Sequence, residues 1–410
     1  MGLSCRARLA AVALFAALGC VPTFAAEAQQ KPIRIGATLS LTGAYASATL
    51  NLHRSYQLCV KQTNERGGVL GRPLELLVHD DASDAAAAVR LYEKLIGQDK
   101  VDLVLGPYSS RIADAVADVT EKHKLPMVAP VAAATSIYRK GRRYIFSMFS
   151  SSGSQLEGLV DLAAKKGLKT LALIHVDDVG DWLVRQGTIE LAKKKGLQVV
   201  LVESFPKETT DFTSLLARVR AVNPDVLCIS TGFVEDGAAI IRQLKALNAN
   251  PRMVGLTPGS GSGNMFYEVA GRDAEFAYAS SVWLPELVEV RAGGLIPIAR
   301  QYPGAREFVE SWNREFPGAT PHAPAYGACQ VLGEAVKRAG SLDRAKIRDV
   351  ISRMDYNTVF GPFRVDRDGV QIAHKGVLFQ WQDGKRAIVW PEELAPNPPR
   401  FPTPPWSQRQ

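Results

Sequence analysis

Short β-branched runs alternate with helical patterns along this chain from Ile33 onward. Ile33-Arg34-Ile35-Gly36 leads into an amphipathic stretch lasting to Asn64, and Leu74 to His79 leads into Ala85 through Ile96. Val101 to Leu105, a helix to about Lys122, and Met127-Val128-Ala129 continue the rhythm. Strand, helix, strand in this order predicts parallel sheets covered by helices on both faces. Gly67-Gly68 and Gly71-Arg72-Pro73 stop the first helix and turn the chain into its second strand. After Ser150 the rhythm restarts with Leu171 to Val176, a helix around Trp182 to Lys194, Val199 to Val202, a helix from Phe212 to Val222, Val226 to Ile229, and a helix to Leu247. Beyond Trp283 the pattern is irregular. Helices are expected at Ala305 to Arg314, Ala325 to Arg338 and Asp343 to Met354, then strands at Phe363 to Val365, Gly376 to Gln382 and Ala387 to Trp390. The last twenty residues, from Pro391, contain seven prolines, so the tail at 393–410 reads as surface-bound or disordered.

Two similar halves in succession predict an α/β fold of two doubly wound parallel-sheet lobes joined by a hinge. The cleft between them lies at the carboxyl ends of the strands, where α/β ligands bind, so functional residues are expected just after strands.

Composition narrows the class. With 410 residues, 46% hydrophobic and 22% charged, the chain is globular and long enough for two or three domains, which excludes disorder and fibre. Leu9 to Val21 is too short for the about 20 residues of a membrane-crossing helix, and nothing later competes with it. Arg6 and Arg8 precede that run and Thr23-Phe24-Ala25-Ala26 follows it, the anatomy of an export signal over residues 1–25. A lipidated Cys20 is the rival reading, disfavoured by Leu18 where a small residue is usual. Cleavage after Ala25 removes Arg6 and Arg8 from 49 basic residues, leaving 47 against 41 acidic, or +6. That charge is scattered in Lys165-Lys166, Lys193-Lys194-Lys195 and Arg142-Arg143, so nucleic acid is not expected as a partner. Cys59, Cys228 and Cys329 would remain, each in an apolar run, and are read as buried small hydrophobes in preference to a disulfide or metal ligands.

The chain carries little that points to catalytic chemistry. Gly259-Ser260-Gly261-Ser262-Gly263 fails as a nucleophile elbow because Gly261 stands where serine is needed, and it fails the dinucleotide fingerprint at Asn264, so it reads as a flexible loop. No phosphate-binding lysine loop occurs, the six histidines show no ligand spacing, and no metal or cofactor is expected. Asp80-Asp81 and Asp177-Asp178 follow strands, but adjacent side chains of an extended segment point apart, so turn capping is their expected role. Two turns stand out instead. Gly106-Pro107-Tyr108-Ser109-Ser110 and Pro130 to Thr135 offer hydroxyls and free N–H groups on successive strands, at least one at a helix N-terminus, which suits a carboxylate or another anion.

Several blocks resemble the periplasmic solute-binding proteins of ABC importers, of the leucine/isoleucine/valine-binding type with the type I fold. They are Ile35-Gly36 to Leu41-Thr42-Gly43, Asn64 to Pro73, Asp80 to Asp84, Leu105-Gly106-Pro107 and Gly361-Pro362-Phe363, and the similarity runs from about Ile33 to Trp390. The resemblance implies two lobes crossed three times, a small-molecule ligand clamped between them (an amino acid or related carboxylate or amide), delivery to membrane permease subunits, a periplasmic location, and a monomer without enzyme activity. With the restart after Ser150, it places one lobe at 31–147 and 281–355 and the other at 148–280 and 356–392.

Carried across by motif, the carboxylate-holding positions fall on Ser109 and its neighbour Ser110, Ala133 and Thr135, with Tyr45 near the aromatic of the first loop. In the second lobe the contacts fall on Val179, Phe233 and Thr257, where amino-acid binders of this type carry tyrosines and an acidic residue. No carboxylate lies in Gly255 to Asn264, and the family's common disulfide has no cysteine near Ser83 or Tyr108. The expected ligand is therefore a molecule with a carboxylate or amide at one end and an apolar or aromatic body, in preference to a free amino acid. Asp178, Glu235 or Asp236 would have to supply a charge if the ligand carries an ammonium group. A signalling protein on the same fold, and a hydrolase using Ser109 or Ser262, are the rivals.

Overall fold

The structure is a computed structural model that describes residues 31–409 apart from 262 and 289–297; the export signal expected at residues 1–25, and Ser262 of the rival hydrolase reading, lie outside the described residues. The first half alternates β1 (Ile33–Leu39), α1 (Ala46–Glu65), β2 (Leu74–Asp80), α2 (Ala85–Gly97), β3 (Leu103–Leu105), α3 (Ser110–Lys122), β4 (Met127–Ala129) and β5 (Ile145–Ser147). Their parallel sheet runs β2-β1-β3-β4-β5. All of β3, β4 and β5 is buried, as a strand covered on both faces must be.

The second half comprises α4 (Glu157–Lys165), β6 (Thr170–Val176), α5 (Val179–Lys194), β7 (Gln198–Phe205), α6 (Thr213–Val222), β8 (Val226–Ser230), α7 (Val234–Ala246), β9 (Met253–Leu256), α8 (Pro258–Gly261), α9 (Asn264–Ala270) and β10 (Tyr278–Ser281). After these come α10 (Ile298–Gln301), α11 (Ala305–Glu315), α12 (Ala323–Ala339), α13 (Arg344–Arg353) and the hairpin β11 (Tyr356–Thr358) with β12 (Gly361–Phe363). The chain then closes with β13 (Val377–Gln382) and β14 (Lys385–Trp390). The second sheet runs β14-β13-β10-β9-β8-β6-β7, parallel except for the last two strands of the chain, β13 and β14, which add through antiparallel pairings at one edge. In both sheets the strand order reverses next to the strand that starts the rhythm, β1 and β6. Such a reversal opens a crevice at the carboxyl ends.

Helix α12 packs on α1 and reaches β3 and β4, so the chain passes between the two sheets three times, after β5, after β10 and before β13. Residues 356–371, expected with the second lobe, run along the first: β11 packs on α12, and Ser147 N–H donates to the Gly369 carbonyl at 2.8 Å. The late strands looked alike in sequence, but only β13 and β14 find the second sheet's open edge at β10.

Two further expectations change. Cys59 and Cys329 form a disulfide between α1 and α12, across 270 residues of sequence. The apolar runs that suggested inert thiols are the buried faces of two packed helices, and only their tertiary contact reveals the pairing. Cys228 remains a buried free thiol in β8. The glycine-rich stretch read as a flexible loop begins as the helical turn α8, in which a Cβ on Gly261 would come 2.7 Å from that of Ala279. At the end of α1, Gly68 has φ +75° and a Cβ there would meet the Arg72 carbonyl oxygen at 2.0 Å, so only glycine permits this turn.

The proline-rich tail lies bound on the second lobe. Trp406 is buried and its indole N–H donates to the Ala249 carbonyl at 2.7 Å, while Arg400 N–H donates to Gln380 Oε1 at 2.8 Å. Phe401 sits beneath Lys166 and Arg252.

Candidate functional site

The first lobe's site begins where β3 ends. A Cβ on Gly106 would lie 2.7 Å from Ala129 Cα, so glycine lets the turns after β3 and β4 come together. Ser109 follows at φ +78° and ψ 148°, a region normally left to glycine, and its hydroxyl caps α3 by accepting from Ile112 N–H at 3.2 Å. Ser110 Oγ accepts from Ala134 N–H at 3.4 Å, which ties the two turns. The Ala133 carbonyl accepts from Ser152 N–H at 3.2 Å, on the first crossing between the lobes.

These turns form one wall of a cavity of about 490 Å³. Tyr108, Ser109, Ser110, Val131 and Ala133 line that wall, the crossings contribute Phe149, Gln155, Val282 and Trp283, and the start of α12 contributes Pro321, His322 and Pro324. Among these lining residues there is no carboxylate and no lysine or arginine. Thr135 stands two residues beyond Ala133 at the start of a 3₁₀ turn, and Tyr45 reaches the site only through Tyr108, edge to face at 5.3 Å between ring centres.

The crossings that form the back of the cavity are knitted together. Ser150 Oγ and His374 Nδ1 are 2.6 Å apart, and the His374 ring stacks on Phe360 with centres 3.9 Å apart and planes 11° off parallel. Phe360 in turn faces Phe149, a cavity residue, at 6.3 Å. Trp283 donates its indole N–H to the Val359 carbonyl at 3.1 Å. Burial lowers the His374 pKa to about 3, so this imidazole is neutral at ordinary pH.

The second lobe holds Val179, Phe233 and Thr257 at three neighbouring strand ends, apart from the serine turn. Val179 opens α5, and Phe233, 51% exposed, is the N-cap residue of α7. Thr257 is buried, its hydroxyl accepting from Thr231 N–H at 3.1 Å and donating to the Thr231 carbonyl at 2.9 Å. Trp182 and Met265, also large and exposed, sit in the first turns of α5 and α9 on the same side. Asp178 caps α5 through Gly180 N–H and pairs with Lys207 at 2.6 Å, which together hold its pKa down. Asp236 accepts from Thr231 Oγ1 at 2.7 Å. The carboxylate that sequence reasoning missed is Asp181, which accepts from Ser230 Oγ at 2.5 Å and whose pKa burial raises. A second cavity of about 880 Å³ shares Trp283 and Pro321 with the first and contains the Arg386–Glu286 ion pair.

The residues missed in the first cavity, Phe149, Trp283 and His322 above all, come from crossings and from a helix start far along the chain. No local motif marks them. Among the described residues no group of histidine, cysteine, aspartate or glutamate has the geometry to hold a metal, and no helix is long and apolar enough to cross a membrane.

Two doubly wound lobes, three crossings and an uncharged cavity walled by those crossings and by the turns after β3 and β4 define a two-lobed solute binder of the type I periplasmic binding fold. The periplasmic binding protein family matches residues 32–386, and the chain belongs to it. Its members bind solutes for transporters and are not enzymes, which implies an extracytoplasmic place for the chain. It is 25% identical over 388 residues to Leu/Ile/Val-binding protein homolog 7 of Brucella melitensis, covering 90% of this chain and 94% of that one. Its fold is similar to that of the substrate-binding protein LivJ of Streptococcus pneumoniae in complex with isoleucine, with a TM-score of 0.68, 20% identity, and 88% of this chain and 100% of that one covered. It is also similar to a solute-binding protein from R. palustris in complex with benzoate, with a TM-score of 0.66, 20% identity, and 87% and 95% covered.

Proposed function

We infer that this protein is the extracytoplasmic binding component of an ABC importer for a small molecule with a carboxylate or amide at one end and an apolar or aromatic body. It acts as a monomer that delivers the molecule to membrane permease subunits. The observation that carries this reading is the lining of the first cavity. Ser109, Ser110 and the N-terminus of α3 suit an anionic or polar end. Tyr108, Phe149 and Trp283 suit an apolar body, and no carboxylate among the lining residues meets an ammonium group. A desolvated ammonium without a partner costs several kcal/mol. The first lobe holds the polar end, the second closes over it, and the closed form engages the permease. The benzoate complex of the similar R. palustris protein supports the same class of ligand.

A free amino acid is the second reading, and Asp181 is the observation that favours it: a half-buried carboxyl in the first turn of α5, at the strand ends of the second lobe. The isoleucine complex of LivJ is its counterpart among similar folds. A thermal-shift and calorimetry panel of leucine, valine, phenylalanine, their deaminated acids, and simple aromatic acids separates the two. A ligand at about a hundred times its Kd stabilises by about 2.7 kcal/mol. Tighter binding of the amino acids than of the matched acids overturns the first reading. In a deletion strain, lost uptake of the ligand marks transport, whereas lost response to it with intact uptake marks a sensor on the same fold.

A further inference from the structure

His322 stands immediately before α12, a helix of 17 residues, and its Nδ1 accepts from Ala325 N–H at 3.2 Å. A ring nitrogen that accepts a hydrogen bond carries no proton, so in the neutral imidazole the proton is on Nε2. Burial lowers the His322 pKa to about 4, which keeps the ring neutral at ordinary pH. No other residue accepts from Nε2 among the described residues, and His322 lines the cavity that Ser109 and Ser110 also line. Histidine is an uncommon choice for this capping position, which serine, threonine, asparagine or aspartate fills better. What histidine adds is a second nitrogen beyond the cap.

The cavity thus receives two helix N-termini, α3 through Ser109 and α12 through His322. Both ends present positive partial charge, and both supply polar side chains. The α12 end is anchored by the Cys59–Cys329 bond and by Gln62, which donates to Ser311 Oγ at 2.9 Å and accepts from the Tyr326 hydroxyl.

We propose that His322 is a ligand-binding residue of this site, its capping bond fixing the ring so that Nε2–H donates to an oxygen of the bound carboxylate or amide. This rests on the ligand class proposed above. The test uses His322→Ser, His322→Asn and His322→Asp, each of which retains a side chain able to cap α12, with benzoate, phenylacetate, the deaminated acid of leucine, and benzamide as probes. Calorimetry should show His322→Ser weakening the best carboxylate probe at least 10-fold with the melting transition little changed. His322→Asp should weaken carboxylates further, through charge repulsion, while benzamide loses less. Should a variant fold poorly, the ¹⁵N spectrum of the intact protein decides. It should show Nδ1 bare and Nε2 protonated near neutral pH, with the Nε2 signal moving when the probe binds. Carboxylate affinity within 2-fold of the parent in His322→Ser, or the opposite tautomer, overturns the role of His322 alone. If the parent binds none of the probes, the ligand class fails and this inference with it.

Discussion

Ser150 and His374, 224 residues apart in sequence, share a hydrogen bond of 2.6 Å and thereby join the first crossing between the lobes to the third. His374 Nδ1 is buried and has Ser150 as its partner, while the ring face lies on Phe360. Ser150→Ala leaves that nitrogen without its hydroxyl, and a buried polar group stranded in this way costs about 1–3 kcal/mol. Urea unfolding should register the loss. A change below about 0.5 kcal/mol would show that the crossings do not depend on this bond.

Acid should loosen the molecule through its buried histidines. Burial lowers His322 to about 4 and His374 to about 3, against an ordinary value of 6.5. Between those limits the unfolded chain binds protons that the folded chain does not, so stability is full above about pH 6.5 and falls as pH drops toward the folded values. Each group contributes at most about 1.4 kcal/mol per pH unit. His374→Phe keeps a ring on Phe360 and removes one titrating group. The slope of unfolding free energy between pH 6.5 and 4 should become shallower by up to one proton, and an unchanged slope counts against a buried neutral His374.

Asp181 shifts in the other direction. Burial raises its pKa, so its ionised form is disfavoured in the folded state, and stability is lost as pH climbs from the ordinary 3.8 through the raised folded value. Asp181→Asn keeps an oxygen for the Ser230 hydroxyl and removes the charge. It should be more stable than the parent at pH 7 and equal to it at pH 3, in paired thermal melts. A variant less stable at pH 7 would mean that the charge has a partner in the folded protein.

Ser109 separates fold from binding. Ser109→Gly relieves the backbone at φ +78°, and loss of the cap to glycine costs only a few tenths of a kcal/mol, so melting should hold or rise. Binding should weaken by about 1.5–3 kcal/mol if the hydroxyl meets a charged ligand oxygen, and Thr135→Ala should weaken it similarly. Unchanged affinity in both variants, by calorimetry, removes the anion-binding role of these turns.

The disulfide is open to the same kind of test. Cys59→Ala with Cys329→Ala together should lower stability by about 2–4 kcal/mol in denaturant, and thiol reagents should leave Cys228 of the native parent unmodified, since burial pushes its pKa far up. An equal midpoint for parent and double variant would show that the bond contributes nothing to stability.

Much of this architecture could be read from the chain because parallel strands covered on both faces write continuous apolar runs, as in Leu171 to Val176 and Val226 to Ile229. Ser109 and Ala133 were legible as parts of strand-to-helix turns, because a serine directly after a strand caps the next helix, as Ser109 caps α3. What stayed hidden was set by contacts between distant segments. Cys329 pairs with Cys59 only because α12 lies along α1, and Phe149, Trp283 and His322 meet at the cavity only because three crossings converge there. Short strands such as β5, β9 and β10, three or four residues each, carry too little periodicity to be read alone. The hairpin at 356–363 went to the wrong lobe because nothing in its composition says which sheet edge is free.

The Cys59–Cys329 bond closes a covalent ring that contains β6 to β10 and two of the three crossings. Topologically, the second sheet's parallel core is a large loop hung from a clasp on the first lobe. A chain delivered amino end first would hold Cys59 ready long before Cys329 arrives, so the first lobe can be fastened only after most of the second has been made. A single protease cut anywhere between the clasp residues would leave the two pieces joined, running as one species on a gel until a reducing agent is added.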